Sequence, residues 1–354
     1  MPPSHPLRAG LVGYGFAGQT FHAPVLSAVP GLELAVVASS QADKVRADWP
    51  RVQVVPDVLA LLAAQPAVDL VVVATPNEAH FPVAKAALQA GRHVVVDKPF
   101  TLDAREAREL AELAHKQGKI VSVYQNRRFD SDFLTLKQVL AEGQIGRPVF
   151  FESHFDRYRP DVRVRWREQK VPGAGLWVDL GSHLLDQAVQ LFGKPDTLQL
   201  DTAALRDGAV VEDYFHAVLR WEKGPHAPLR AVLHATTLAA DPAPRYILHG
   251  TRGSYVKYGV DPQEDALRTG ARPGGEGWGV DTDDGLLTLI GDAGQPQPGT
   301  VPTLAGDYTR FYAAVRDAIA GTGPAPVTPA QAVQLMELLD LGRRSAEEGR
   351  ALPA

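Results

Sequence analysis

The chain of 354 residues contains no cysteine, which removes disulfides, thiolate zinc sites, iron–sulfur clusters and thiol catalysis together. It also has no apolar run long enough to span a bilayer, since every such stretch is broken by Gly, Pro or charge. The opening MPPSHPLRAGLVGYG lacks an apolar signal core, so a cytoplasmic protein without a membrane partner is expected. No basic excess exists either. The 36 Lys and Arg stand against 41 Asp and Glu, for a formal charge of −5, so no general field attracts a polyanion and nucleic acid is not an expected partner. With 32 Gly and 28 Pro, the chain stays below the roughly 25–30% that marks low complexity. No fixed-period repeat, HExxH motif or Cys/His cluster is present, and no metal ligand is expected.

What is present is material for a substantial core: 45% hydrophobic and 22% charged residues, in a length that favours two domains. The first third alternates β-rich runs at 7–12, 32–38, 52–55, 68–74, 93–96 and 120–123 with helical stretches, the rhythm of a parallel sheet with crossovers. The runs at 68–74 and 94–96 are apolar on both faces, as strands covered by helices on each side must be. A helix is expected over 82–90, stopped by Gly91, and another from a cap at Thr101 or Asp103 to Gln117 and Gly118. From about Val149 the strands become longer and alternating, at 150–157, 211–221, 229–238 and 246–250, with no helices between most of them, which suggests an antiparallel sheet. One helix is expected at 179–192, a long surface excursion at 259–299, and two closing helices at 306–320 and 329–348. The fold reading is an α/β Rossmann domain with a doubly wound parallel sheet over 1–124. An α+β domain for substrate binding and oligomerisation follows over 125–354.

Gly13, Gly15 and Gly18 form GYGFAG between the first strand and a helical stretch. The first permits the tight turn, the second lets backbone approach a pyrophosphate, and the third packs helix against strand, with the helix N-terminus facing the phosphates. The second strand ends Ala38–Ser39–Ser40 without the carboxylate that usually receives the ribose hydroxyls of NAD. Ser39 and Ser40 can donate to a 2′-phosphate, with Lys44 or Arg46 supplying charge, so NADP is favoured over NAD. The bland alternative is that the two serines only cap the next helix. Asp97–Lys98–Pro99 follows a buried strand at the carboxyl edge of the sheet, where Lys98 can hold a substrate oxygen. Asp179 and His183 stand four residues apart, on one face of a helix if Asp179 begins it, and its positive end would favour a neutral imidazole.

In combination, GYGFAG, ATPNEAH at 74–80, DKP at 97–99 and DLGSH at 179–183 resemble the Gfo/Idh/MocA family of NAD(P)-dependent oxidoreductases over nearly the whole chain, and HGTRGS at 249–254 resembles its C-terminal sheet. DKP stands where many members have EKP. The resemblance implies a Rossmann domain followed by a large, mostly antiparallel open sheet. It also implies Lys98, Asp179 and His183 as the catalytic set, with His183 as base, Lys98 stabilising the oxygen and Asp179 orienting the histidine or a substrate hydroxyl. Cofactor contacts are implied for Tyr14, Phe16, Thr75, Pro76, Asn77, His80, Asp97 and Lys98, beside the three glycines.

A narrower resemblance, to the NADP-dependent scyllo-inositol dehydrogenases, rests on Phe21–His22–Ala23–Pro24, on Asn126–Arg127–Arg128–Phe129–Asp130 and on the arginine-rich segment from Arg163 to Glu168. It implies a sugar or polyol substrate, for which Asn126, Arg127, Tyr158 and Trp166 can supply donors and an apolar ring face, alongside Asp179 and His183. A homodimer or homotetramer is expected, because an open sheet needs its outer face covered. Competing readings are a non-catalytic NADP-sensing regulator on the same fold, which retention of Lys98, Asp179 and His183 argues against, and a reductase of a dicarbonyl sugar.

Overall fold

The computed structural model describes residues 5–354, so the first four positions of the opening segment lie outside the described residues. Six short strands form the first sheet: β1 (Leu7–Val12), β2 (Leu32–Ala38), β3 (Gln53–Val55), β4 (Leu70–Val73), β5 (His93–Val96) and β6 (Val121–Val123). Their order is β3-β2-β1-β4-β5-β6 and every pairing is parallel, in the register Gly10↔Val71 and Val71↔Val94 at the centre. Val71, Val72, Val94 and Val95 are fully buried, which explains their lack of polar alternation. The helix Ala104–Gln117 begins where expected, because the Asp103 carboxylate accepts from the Glu106 N–H at 2.8 Å. Strand order reverses between β1 and β4, and the crevice beyond their carboxyl ends is where an open α/β sheet takes its ligand.

The second sheet has nine strands: β7 (Pro148–His154), β8 (Thr197–Ala203), β9 (Tyr214–Trp221), β10 (Leu229–Thr236), β11 (Tyr246–Gly250), β12 (Gly253–Lys257), β13 (Gly285–Ile290), β14 (Pro296–Val301) and β15 (Leu352–Pro353). The order is β14-β13-β12-β11-β7-β10-β9-β8-β15, antiparallel except for β7 with β10. Strict alternation on β9 and β10 buries Phe215, Ala217, Leu219 and Trp221 with Leu229, Ala231, Leu233 and Ala235. The helix Ser182–Phe192 covers that face, with Phe192 packed edge-on against Phe151 and Trp221 at 5.4 and 5.7 Å between ring centres.

The stretch 259–299 is not a loop excursion. It holds the helix Gln263–Arg268 and the hairpin β13–β14. The prolines that suggested a loop, Pro296 and Pro298, lie on β14 at the edge of the sheet, where a strand tolerates a missing N–H. Strands β8 and β12 were not foreseen either.

Two compact units emerge, and neither is one continuous segment. The first runs through Asn126 and adds Gln263–Trp278 and Asp307–Met336; the second comprises Arg127–Pro262, Gly279–Gly306 and Glu337–Ala354. In the first, the helix Thr309–Ile319 buries Phe311 and Tyr312 against Tyr124, and the Arg316 guanidinium donates to the Pro30 carbonyl at 2.6 Å. Among the described residues, no helix is long and apolar enough to cross a membrane.

Candidate active site

The glycine turn fits a dinucleotide on its own geometry. Gly13 adopts φ +97°, and a Cβ there would lie 2.5 Å from the Ala74 carbonyl oxygen, so only glycine allows β1 and β4 to approach this closely. A Cβ on Gly18 would run into the Gly13 carbonyl. Gly15 faces open space, the room a pyrophosphate needs, and Thr75 Oγ1, close by in sequence to Ala74, is a buried hydroxyl with no hydrogen-bond partner among the described residues. Phe16 is 50% exposed beside this turn and packs edge-on against Phe21. Tyr14 is buried, donating to Asp48 at 2.8 Å while accepting from the Trp49 indole at 2.8 Å. Burial, with Asp48 beside it, raises its phenol well above the ordinary value, so it stays a neutral donor.

At the end of β2, the Ser39 Oγ accepts from the Gln41 N–H at 3.0 Å, which organises the turn into the helix Ala42–Asp48. Its hydroxyl proton remains free for another acceptor, so turn-making and phosphate binding are compatible. Ser40 and Lys44 are exposed, and Arg46 pairs with Asp43 at 3.3 Å.

The ATPNEAH segment places Pro76 and Asn77 at the turn Asn77–Ala79, with Asn77 buried. His80 lies differently from a ligand-facing residue: its two ring nitrogens sit 2.8 Å from the Pro99 carbonyl and 3.0 Å from the Thr75 carbonyl. Burial lowers its pKa, and the ring ties the turn after β4 to the turn after β5. At the latter, Asp97 accepts from the Lys98 N–H at 2.8 Å and fixes the backbone from which the Lys98 side chain projects. Burial opposes ionisation of Asp97, yet neighbouring His22, His80 and Lys98 bring it down to about 2. His22 was singled out in sequence only as part of a motif. It proves to be fully buried between Tyr312, whose hydroxyl is 2.6 Å from Nδ1, and Asp97, whose Oδ1 is 3.6 Å from Nε2.

In the second unit, Asp179 does not begin an α-helix. A wide π-helical turn, Trp177–Gly181, precedes the α-helix Ser182–Phe192. In that turn the Trp177 indole occupies the space of any side chain at Gly181 or Gly342 and donates to the Leu339 carbonyl at 3.1 Å. Such a bulge re-aims the residues beside it, here Asp179 and the buried His183. Arg167 lies 3.5 Å from the Asp179 carboxylate and stacks 4.7 Å from the centre of the Trp166 ring, so one guanidinium joins two of the expected substrate residues. Arg165 and the Arg163 N–H both bind the buried Glu168, at 2.6 and 2.7 Å. Despite its burial, these donors hold that carboxylate below its usual range.

Asn126 opens the turn Asn126–Phe129 and is buried. Arg127 donates to Asp130 at 3.2 Å and lies on the Phe155 ring, which also carries Arg157 and Arg245. Arg128 grips Asp186 with two hydrogen bonds of 2.8 and 2.6 Å. Tyr158 is 60% exposed and forms a backbone bridge to Leu238.

A parallel sheet with a glycine turn at its switch point, followed by a large open antiparallel sheet, defines a two-part NAD(P)-dependent oxidoreductase. The chain belongs to the Gfo/Idh/MocA oxidoreductase family: residues 7–125 match its NAD-binding Rossmann fold, and residues 137–353 match its C-terminal alpha/beta domain. It is 54% identical over 346 residues to the uncharacterised oxidoreductase YdgJ of Escherichia coli K12, covering 98% of each chain. It is 35% identical over 348 residues to the scyllo-inositol 2-dehydrogenase (NADP(+)) IolW of Bacillus subtilis 168, covering 98% of this chain and 95% of that one. The solved structure of YPO2259 from Yersinia pestis superposes with a TM-score of 0.94 at 53% identity, over 99% of this chain and 98% of that one.

Proposed function

We propose that this protein interconverts a secondary hydroxyl and a carbonyl on a sugar or inositol-like polyol, with NADP(H) as its cofactor. Its similarity to IolW along nearly its full length is the observation that carries the substrate class and the subgroup. For the cofactor, the support is the end of β2, where Ser39 and Ser40 stand in place of the usual carboxylate and Lys44 follows nearby in sequence. The glycine turn, Thr75 and Asn77 hold the dinucleotide, with Tyr14, Phe16, Pro76 and Asp97 shaping its bed and His80 pinning the two turns that frame it. When bound, the nicotinamide supplies or accepts the hydride.

Lys98 donates to the reacting oxygen and stabilises its developing charge. His183 takes the hydroxyl proton in oxidation and returns it in reduction. Asp179, steadied by Arg167, orients the imidazole or a neighbouring hydroxyl. Trp166 offers an apolar ring face, and Asn126, Arg127 and Tyr158 supply further polar contacts.

The test is a panel of inositols, aldoses and their keto forms, each assayed with NADP(H) and NAD(H) by nicotinamide absorbance. Turnover of a cyclic polyol or sugar with NADP(H) preferred is the expected result. Turnover confined to compounds without a polyhydroxylated ring overturns the substrate class.

A further inference from the structure

The face of the nine-stranded sheet opposite its core carries a row of imidazoles that the proposed reaction does not use. His154 on β7 pairs directly with His234 on β10, and His234 pairs directly with His216 on β9, so three rings stand side by side across three strands. Their centres are 5.4 and 5.7 Å apart. Asp156 follows His154 by two residues, where the ladder continues through the Phe155 N–H to the His234 carbonyl. Extended backbone turns residues i and i+2 to the same side, so Glu152, His154, Asp156 and His234 share one neighbourhood.

The Asp156 carboxylate stands between the two rings. Its Oδ2 is 3.5 Å from His154 Nδ1, and its Oδ1 is 3.5 Å from His234 Nε2. All three donor atoms of this cluster lie within 4.8 Å of one another, close enough for small side-chain rotations to bring them onto one ion. The other nitrogen of His154 is engaged already, 2.8 Å from the Glu152 carboxylate. Donating Nε2–H to Glu152 leaves a lone pair on Nδ1 that faces Asp156, the arrangement by which a carboxylate orients a metal-binding imidazole. The Asp156 side chain is only 4% exposed, and neither its Oδ1 nor His154 Nδ1 has a hydrogen-bond partner among the described residues. Two buried acceptors turned toward one another need a proton or a metal ion between them.

The spacing suits a metal ion. A proton shared by imidazolium and carboxylate draws the heavy atoms to roughly 2.7–2.9 Å. Donors around a tetrahedral ion with bonds of about 2.0–2.1 Å stand roughly 3.4 Å apart, close to both contacts with Asp156.

We propose that His154, Asp156 and His234 form a binding site for a divalent ion of the zinc class, with Glu152 as the positioning residue of His154. Two imidazoles and one carboxylate suit zinc rather than calcium or magnesium, which take all-oxygen shells. The ion ties β7 to β10, the parallel pair at the middle of an otherwise antiparallel sheet. Three protein ligands leave one coordination position open.

The test uses the full-length protein stripped of metal by chelator and then titrated calorimetrically with zinc chloride, with cobalt(II) as a spectroscopic substitute. One ion bound per chain, visible cobalt bands of four-coordinate geometry and a higher melting temperature on zinc addition are expected. His234→Ala and Asp156→Asn should each weaken zinc binding by about 100-fold or more, and Glu152→Gln by about 10- to 100-fold, with NADP affinity retained in all three as evidence of folding. The cobalt spectrum of the wild-type protein serves even if a variant fails to fold. Stoichiometric binding that survives both ligand substitutions, a six-coordinate cobalt spectrum, or no saturable binding with His154 found as an imidazolium by NMR overturns the site.

Discussion

Lys98 and His183 are assigned different tasks, and substituting each separates chemistry from cofactor binding. Lys98→Met should lower turnover by about 100-fold, because a preorganised donor to the reacting oxygen is lost, while NADP still binds through the glycine turn. His183→Ala should cost about 100- to 10,000-fold in rate for want of a base. Steady-state rates and NADP titrations on folded variants check both, and near-wild-type turnover removes the assigned role. Ser39→Asp places a negative charge where the 2′-phosphate is expected and should shift preference toward NAD(H), as read from the ratio of kcat/KM for the two cofactors. The sequence singles these residues out because each lies in a short motif, Ser39 at the end of the second strand and Lys98 and His183 in the DKP and DLGSH segments that carry the family resemblance. His22 and Arg167 were not legible as partners. They meet Asp97 and Asp179 across long sequence distances or through a bulged turn, and only the folded chain supplies those contacts.

Elements whose ends carry local signals are visible before folding, as Asp103 shows by capping its helix and Gly118 by ending it at φ +61°. Elements defined by neighbours are not. The hairpin β13–β14 is framed by Gly, Asp and Pro that read as loop, and its strand character comes from pairing with β12. The π-helical turn before His183 likewise packs Trp177 against two glycines, one of them, Gly342, far along the chain. One pH effect belongs to this scale. His93 on β5 accepts the Ile120 N–H at Nδ1, at 3.0 Å, and burial together with Lys119 lowers its pKa to about 4. A histidine depressed in the folded state binds its proton more readily when unfolded, so its stabilising effect is complete above pH 6.5 and is lost as pH falls toward 4. His93→Asn keeps an acceptor without titrating, and the decline in melting temperature between these pH values should be shallower than in wild type.

For the whole molecule, the second sheet raises the question of what covers its outer face. Val218, Val232 and Ile247 lie there half-buried between polar neighbours, on strands whose other face is the core. We propose that a second copy covers this face, giving a dimer or tetramer, because a broad sheet with apolar side chains on its open side gains from burial. Light scattering at micromolar concentration should give at least twice the chain mass, and a monomer counts against the proposal. The compact units show the same dependence on long-range packing. The helix Thr309–Ile319 lies far along the chain yet belongs with the first unit, where Tyr312 meets His22.

By itself the sequence determined the parallel sheet, the glycine turn after its first strand and the alternation of the second sheet. All of these follow from local spacing: period two for strands, helical period for crossovers, and glycine where backbone must approach backbone. Tertiary structure alone decided that His80 ties two turns together, that His22 and Tyr312 brace Asp97, that 263–278 and 307–336 join the first unit, and that His154 stands beside His234. Those outcomes depend on strand register and on burial. A register of one residue either way turns an imidazole to the opposite face, and nothing in the local composition of β7 or β10 specifies which strand will lie beside it.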